Sequence, residues 1–314
     1  MSDKNASVLL PDEAGIARAA EVLRDGRLVA IPTETVYGLA ARADSADAVA
    51  SIYRLKGRPD FNPLIVHVSS VALARELAVF CDKADLLAES FWPGPLTLVL
   101  PLRAGAALTP AVTAGLPTVA LRMPAHPVAH AVLQETGLPL AAPSANRSTG
   151  VSPTRVEHVL KSFGSEAPFV LDGGRSERGL ESTIVALRAN GCWNLLRPGP
   201  VTSDDLTPLL GAEEKLRGAT IEAPGQLVKH YSPGKPVLLD VDEAPDDSFF
   251  VGFGPMRCDF NLSEAGDLAE AASRLYQSLY EGAAATESSI AYAPIPETGM
   301  GRAINDRLLR ASSR

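Results

Sequence analysis

The stretch from Ile31 to His67 constrains this chain most. It reads Ile-Pro-Thr-Glu-Thr-Val-Tyr-Gly-Leu, then a short amphipathic segment closing on Leu55-Lys56-Gly57-Arg58-Pro59, then Asn62-Pro63-Leu64-Ile65-Val66-His67. A strand over 28–31, a helix from Ser45 to Gly57 and a strand over 64–68 make one strand-helix-strand unit. Such a unit brings a hydroxyl-rich loop, two cations and a histidine to one end of a parallel sheet, where open α/β folds hold their ligands. Alternation along the second strand puts Leu64, Val66 and Val68 on one face and Ile65 with His67 on the other.

Strands and helices continue to alternate. The pattern predicts strands at 96–100, 118–122, 140–142, 169–171, 182–186 and 193–196, and a helix opened by Ser152 as N-cap with Pro153 at its first position. Thr118, Ala120 and Arg122 share one strand face. Between about 211 and 235 apolar periodicity gives way to Gly, Pro and charge around Lys229-His230-Tyr231-Ser232-Pro233, which reads as a linker. Strands at 237–241, 249–253 and 290–293 with helices at 268–280 and 304–309 then predict a smaller α/β domain. The expected division is 1–210, a linker over 211–235, and 236–314. At 314 residues the chain is long enough for two such cores.

Asp and Glu number 37 against 29 Lys and Arg, a formal charge of -8. That balance argues against a large nucleic-acid footprint, which needs a basic face. The three cysteines are far apart and without metal-ligand spacing, and no long apolar run follows the N-terminus, so a reducing cytoplasm is expected.

Arg58, Arg122 and Arg197, with Lys56, are cations delivered from strand and helix ends. The guanidinium fork suits carboxylate or phosphate. Taken singly, Lys56 and Arg58 could equally complement a helix C-terminus. His67 is open to three readings: general base, hydrogen-bond partner of a substrate, or core histidine. Ser144 and Asn146 follow a strand as anion donors would, or as turn residues. Ser152 is a cap or a phosphate ligand, and Thr33, Glu34 and Thr35 line a pocket or satisfy a turn. Neither a P-loop nor a GxGxxG fingerprint is present.

Pro32-Thr33-Glu34-Thr35-Val36-Tyr37-Gly38-Leu39, Lys56-Gly57-Arg58 with His67, Trp92-Pro93-Gly94-Pro95, Arg122-Met123-Pro124, Pro143-Ser144-Ala145-Asn146, Glu181-Ser182-Thr183 and Arg197-Pro198-Gly199 occur in order. Together they resemble the YrdC-like threonylcarbamoyl-adenylate synthases. The Tyr231 linker and Asn305-Asp306-Arg307 resemble the long, two-domain form. The resemblance implies a twisted open YrdC-like α/β sheet with a concave positive surface, joined to a smaller Rossmann-like α/β domain. It also implies synthesis of threonylcarbamoyl-AMP and pyrophosphate from L-threonine, bicarbonate or CO2, and ATP. A downstream tRNA threonylcarbamoyltransferase would use that product. By the same resemblance Thr35, His67, Thr118, Arg122, Ala142 and Ser182 hold threonine. Arg58, Asn62, Thr118, Ser144, Ser152, Arg197 and Tyr231 hold ATP with Lys56 and Asn146, and Lys56, Arg58 and His67 serve the chemistry. Magnesium is expected to arrive with ATP, and the Tyr231 segment to act as a lid. The rival of another class is a YrdC-like module holding double-stranded RNA in ribosome assembly. A second rival is carbamoyl transfer from carbamoyl phosphate, as in hydrogenase maturation factors, whose additional acylphosphatase and zinc-finger regions have no counterpart in this sequence.

Overall fold

The structure is a computed structural model that describes residues 8–188, 190–214, 222–223 and 230–313. The first unit runs β1 (Val8–Leu9), α1 (Glu13–Arg24), β2 (Val29–Ile31), β3 (Gly38–Arg42), α2 (Ala46–Lys56), β4 (Ile65–His67), α3 (Val71–Leu77), α4 (Asp82–Phe91), β5 (Leu96–Pro101), α5 (Pro110–Thr113) and β6 (Thr118–Arg122). It continues α6 (Pro127–Thr136), β7 (Leu140–Ala141), α7 (Val156–Phe163), β8 (Phe169–Leu171), β9 (Thr183–Leu187), β10 (Trp193–Arg197) and α8 (Ser203–Leu210). The ten strands form one sheet in the order β1-β8-β2-β3-β7-β4-β6-β5-β9-β10.

The sheet is mixed, which corrects the parallel unit expected around Ile31–His67. β2 and β3 form an antiparallel hairpin, with Ile31 opposite Gly38. Both β3 and β4 are antiparallel to β7, which lies between them. The helical crossover is therefore β3-α2-β4, and the hydroxyl-rich loop is the hairpin turn. Helix α2 ends as its sequence dictates: Ser45 caps the first turn, and Gly57 stops the helix with φ 61.

One sheet face is filled throughout by the main core, including Leu39, Ala41, Leu64, Val66, Leu98, Leu121 and Val185. The other face is covered unevenly. Helices α1 and α6 pack Ala19, Leu23, Val132 and Leu133 against Val29, Ile31, Leu140 and Leu171. Beyond β7 that face carries a small apolar patch of Ile65, Val99, Ala120, Ile184 and Ala186, covered in part by Ala223. Cross-strand partners share a face. His67 opposite Arg122, and Ile184 opposite both Thr97 and Arg197, thus place a row of polar side chains beside this patch.

The second unit comprises β11 (Val237–Leu238), β12 (Ser248–Gly252), β13 (Phe260–Asn261), α9 (Leu268–Ala284), β14 (Ser289–Tyr292) and α10 (Gly301–Ser312). Its four strands are all parallel, in the order β11-β14-β12-β13. Its core contains Leu275, Tyr276, Leu279, Ile304 and Leu308, and it also takes in Val36, Val151 and Leu180 from the first unit and Tyr231 from the linker. The two sheets are thereby joined through apolar burial.

Candidate active site

The polar row opens on a cavity lined by groups from both sides of the sheet face. Thr33, Thr35, Ile65, His67 and Arg122 line it from β4, β6 and the hairpin. Ala142, Pro143 and Ser144 follow from the end of β7. Arg58, Glu181, Ser182, Arg197, His230 and Tyr231 complete the wall. The site lies on the bare sheet face and not at the strand ends alone.

Around Arg122 each guanidinium nitrogen makes one hydrogen bond. Its Nη2 donates to Glu34 Oε1 at 2.6 Å, its Nη1 to Thr35 Oγ1 at 2.8 Å and its Nε to the Gly94 carbonyl at 3.1 Å. Burial raises the Glu34 carboxyl, but the adjoining guanidinium outweighs it and holds the group below the usual carboxylate range. His67 is buried, and its Nδ1 has no partner among the described residues. Burial, then the Arg122 charge, lower its pKa to about 3, so the imidazole is neutral at ordinary pH.

A cationic group lies across the cavity. Arg58 donates only to main-chain acceptors, the carbonyls of Asn62 and Pro63 at 3.2 and 2.9 Å. Burial lowers its pKa to about 10, and the Arg197 charge contributes in the same direction. Arg197 grips the Ser182 carbonyl with Nε and Nη2 at 3.1 and 2.9 Å, and Ser182 Oγ lies 2.7 Å from Thr97 Oγ1. The strand end that carries Arg197 folds back tightly at Gly199, where a Cβ would stand 2.5 Å from the Thr183 nitrogen. Beside this group the His230 imidazole is lowered to about 3, chiefly by burial, with the charges of Lys56, Arg58 and Arg197 all acting on it.

Lys56 is buried behind the wall. Its Nζ donates to the carbonyls of Ser144 and Asn146, each at 2.6 Å. Asn146 in turn accepts from Ser144 Oγ at 2.6 Å and donates to the carbonyls of Arg147 and Gly150. Lys56 and Asn146 therefore shape the Pro143–Asn146 loop, and only Ser144 of that set faces the cavity. Asn62 is buried next to Arg58 with an unpartnered Oδ1. Thr118 is not brought to the cavity: it pairs with Pro101 at the opposite end of β6 from Arg122.

Ser152 is not a helix cap. Helix α7 begins at Val156 after Arg155, and Ser152 Oγ donates instead to Glu181 Oε1 at 2.5 Å. The other oxygen of Glu181 accepts from Tyr276 at 2.7 Å and from Arg307 Nε at 3.0 Å. Glu181 was visible in sequence only as a neighbour of Ser182, and Arg307 only within Asn-Asp-Arg. No local spacing joins residues from two separate units. Tyr231 is buried at φ 63, with its ring 5.5 Å from that of Tyr276. Of the linker expected over 211–235, residues 215–221 and 224–229, Lys229 among them, lie outside the described residues.

Comparisons with known proteins place the chain in a family. Residues 21–199 match the Sua5/YciO/YrdC family model, described as telomere recombination, and residues 201–313 match the threonylcarbamoyl-AMP synthase C-terminal domain. The threonylcarbamoyl-AMP synthase of Bacillus subtilis is 38% identical over 97% of this chain and 94% of its own length. The crystal structure of Pyrococcus abyssi Sua5 complexed with L-threonine superposes with a TM-score of 0.86 at 35% identity, covering 96% of this chain and 95% of that one. Escherichia coli YciO shares the fold of the first unit, at 20% identity and a TM-score of 0.54 over 62% of this chain and 94% of its own. The chain belongs to the long, two-domain threonylcarbamoyl-AMP synthase family.

Proposed function

We infer that this chain joins L-threonine, bicarbonate or CO2, and ATP into threonylcarbamoyl-AMP with release of pyrophosphate. One observation carries the reading: a single cavity has a neutral histidine, hydroxyls and a well-anchored arginine on one side, and Arg58 with Arg197 on the other. Two buried guanidinium groups that repel each other on one wall of a cavity are stabilised by an anion placed beside both. A triphosphate supplies one.

In this reading threonine lies against Thr35, His67, Ala142 and Ser182, with Arg122 holding Thr35 in place and supplying the local positive field. The unpartnered His67 Nδ1 stays uncharged, so it can meet the amine or hydroxyl of threonine without repelling the amine. The neutral amine attacks CO2 and gives up one N–H proton to solvent, and an oxygen of the resulting carbamate then attacks the α-phosphorus as the bond to pyrophosphate breaks. Holding carbamate and phosphorus in line supplies much of the rate. Arg58 and Arg197 stabilise the charge that develops on the leaving pyrophosphate. Ser144, backed by Lys56 and Asn146, and Tyr231 complete the nucleotide side, while the buried Tyr231 keeps water from the labile carbamate.

Glu181 in the cavity wall and Glu34 beside Arg122 are each paired with an arginine, and among the described residues no cluster of three metal-ligating side chains occurs. We assign magnesium to the triphosphate. No described helix is long and apolar enough to cross a membrane, and we place the enzyme in the cytoplasm, passing its adenylate to a tRNA threonylcarbamoyltransferase. The catalytic unit is assigned to 1–210, the lid to 211–235 and the supporting domain to 236–314. The acidic balance of the chain, -8, favours small substrates over the double-stranded RNA reading. Mass spectrometry of the purified chain with ATP, bicarbonate and each amino acid tests this. Threonylcarbamoyl-AMP forming with threonine supports it, and pyrophosphate released equally with serine or with no amino acid overturns it.

A further inference from the structure

The second unit's most deeply buried charge is Arg307 on α10, whose side chain is wholly enclosed. It does not touch the cavity. Its Nε donates to Glu181 Oε2 at 3.0 Å, its Nη1 to Asp306 at 2.8 Å, and its guanidinium carbon lies 5.6 Å from the centre of the Tyr231 ring. Glu181 does line the cavity, next in sequence to the Ser182 carbonyl that Arg197 grips. Arg197 also acts electrostatically on Glu181, second to Arg307 among the cations that do.

A buried carboxylate beside two arginines has a choice of partner. With Arg307 present, Glu181 is turned toward α10 and is further held by Ser152 and Tyr276. Without it, the cation that still acts on Glu181 is Arg197, on the nucleotide wall. A carboxylate that swings to Arg197 neutralises the charge meant for a triphosphate and places its own negative charge beside the phosphates.

We propose that Arg307 is a positioning residue for the nucleotide half of the site: by holding Glu181 from outside the cavity it keeps Arg197 available to ATP, and its cationic face seats Tyr231. This rests on the adenylate-forming reading above. The second unit then acts on catalysis through one charge rather than by giving a group to the reaction.

Steady-state kinetics of the full chain test this with Arg307→Met and Arg307→Met/Glu181→Gln, alongside thermal melting. Loss of one partner of a buried pair predicts that Arg307→Met raises KM for ATP by about tenfold or more while KM for threonine changes little. Removing the stranded charge with Glu181→Gln in the same chain should recover most of that loss, a result that simple loosening of the fold would not give. Arg307→Lys, which keeps the charge, should fall between wild type and Arg307→Met. The inference is overturned if both KM values rise together, or if the double variant is no better than the single one. If Arg307→Met does not fold, Arg307→Lys decides: a raised KM for ATP with KM for threonine little changed supports the proposal, and both KM values unchanged or raised together overturn it. Failure of the wild-type chain to make the adenylate would instead count against the reaction assigned, so the two failures are distinct.

Discussion

Arg122 and Glu34 form a buried ion pair, 2.6 Å between Nη2 and Oε1, in which the remaining guanidinium nitrogens are also bonded, to Thr35 and to the Gly94 carbonyl. A guanidinium so fully used presents its charge to the cavity while its geometry is fixed by the protein. Glu34 Oε2 is left without a partner. The pair is therefore built to orient the hairpin loop as much as to meet a carboxylate.

Arg122→Ala should weaken threonine by about 2–4 kcal/mol, because a buried charge-assisted contact is lost and Glu34 is left uncompensated. Arg58→Ala should weaken ATP by a similar amount and threonine far less. Calorimetric titration of each variant with each ligand checks the division. Equal loss of both ligands from both variants, with the fold intact, would contradict it.

Lys56→Met should raise KM for ATP by roughly tenfold, since two buried carbonyls lose a charge-assisted donor worth about 1.5–3 kcal/mol each and the Pro143–Asn146 loop relaxes away from the nucleotide. Because Lys56 lies behind the wall, the single-turnover rate at saturating ATP should fall by much less. A rate lost wholly at saturating ATP would make Lys56 a direct participant in the chemistry.

The depressed histidines set the acid limit of stability. Burial and then the Arg122 charge disfavour the His67 cation and lower its pKa to about 3, from an ordinary value of about 6.5. The unfolded chain thus binds the proton first as pH falls, and the stability present above 6.5 is lost progressively down toward 3. For His67 alone the loss between pH 7.5 and 5 is about 2 kcal/mol. Urea unfolding at the two pH values, for wild type and His67→Asn, measures it: the variant should show a shallower dependence by about that amount. An unchanged dependence would mean His67 is protonated in the folded protein.

Much of this site was legible before the fold. Strand β6 falls at Thr118–Arg122 as expected, and alternation alone placed His67 opposite the core face of β4. What sequence periodicity missed has physical reasons. Strand β3 is Gly-Leu-Ala-Ala-Arg, with small residues carrying little strand preference, so its hairpin was read as part of a loop. Ser152-Pro153 has the local chemistry of a cap, but Glu181, 29 residues away, takes the hydroxyl. Thr118 shares a face with Arg122, yet four residues of strand separate them by about 13 Å. The Glu181–Arg307 pair spans 126 residues and two units, beyond anything spacing can report.

The linker offers the sharpest test of how the two units cooperate. Tyr231 holds a left-handed φ of 63, a conformation that costs a non-glycine residue about 1–2 kcal/mol. Burial against Tyr276 and the Arg307 guanidinium offsets that cost. Removing the second unit removes both of these partners, together with the bond from Tyr280 to the Val151 carbonyl and the stacking of Tyr280 on His158, whose ring centres lie 3.7 Å apart. A chain ending at residue 210 should still fold around its own ten-stranded sheet, yet lose most threonylcarbamoyl-AMP synthesis, because lid and support leave together. Tyr231→Ala at full length should reproduce part of the loss, with ATP hydrolysed in excess of adenylate formed as water reaches the carbamate. Quantifying AMP, pyrophosphate and threonylcarbamoyl-AMP in the same reaction separates the outcomes. If the shortened chain, folded by circular dichroism, makes the adenylate at the full-length rate, the linker is no lid and the second unit serves a partner instead.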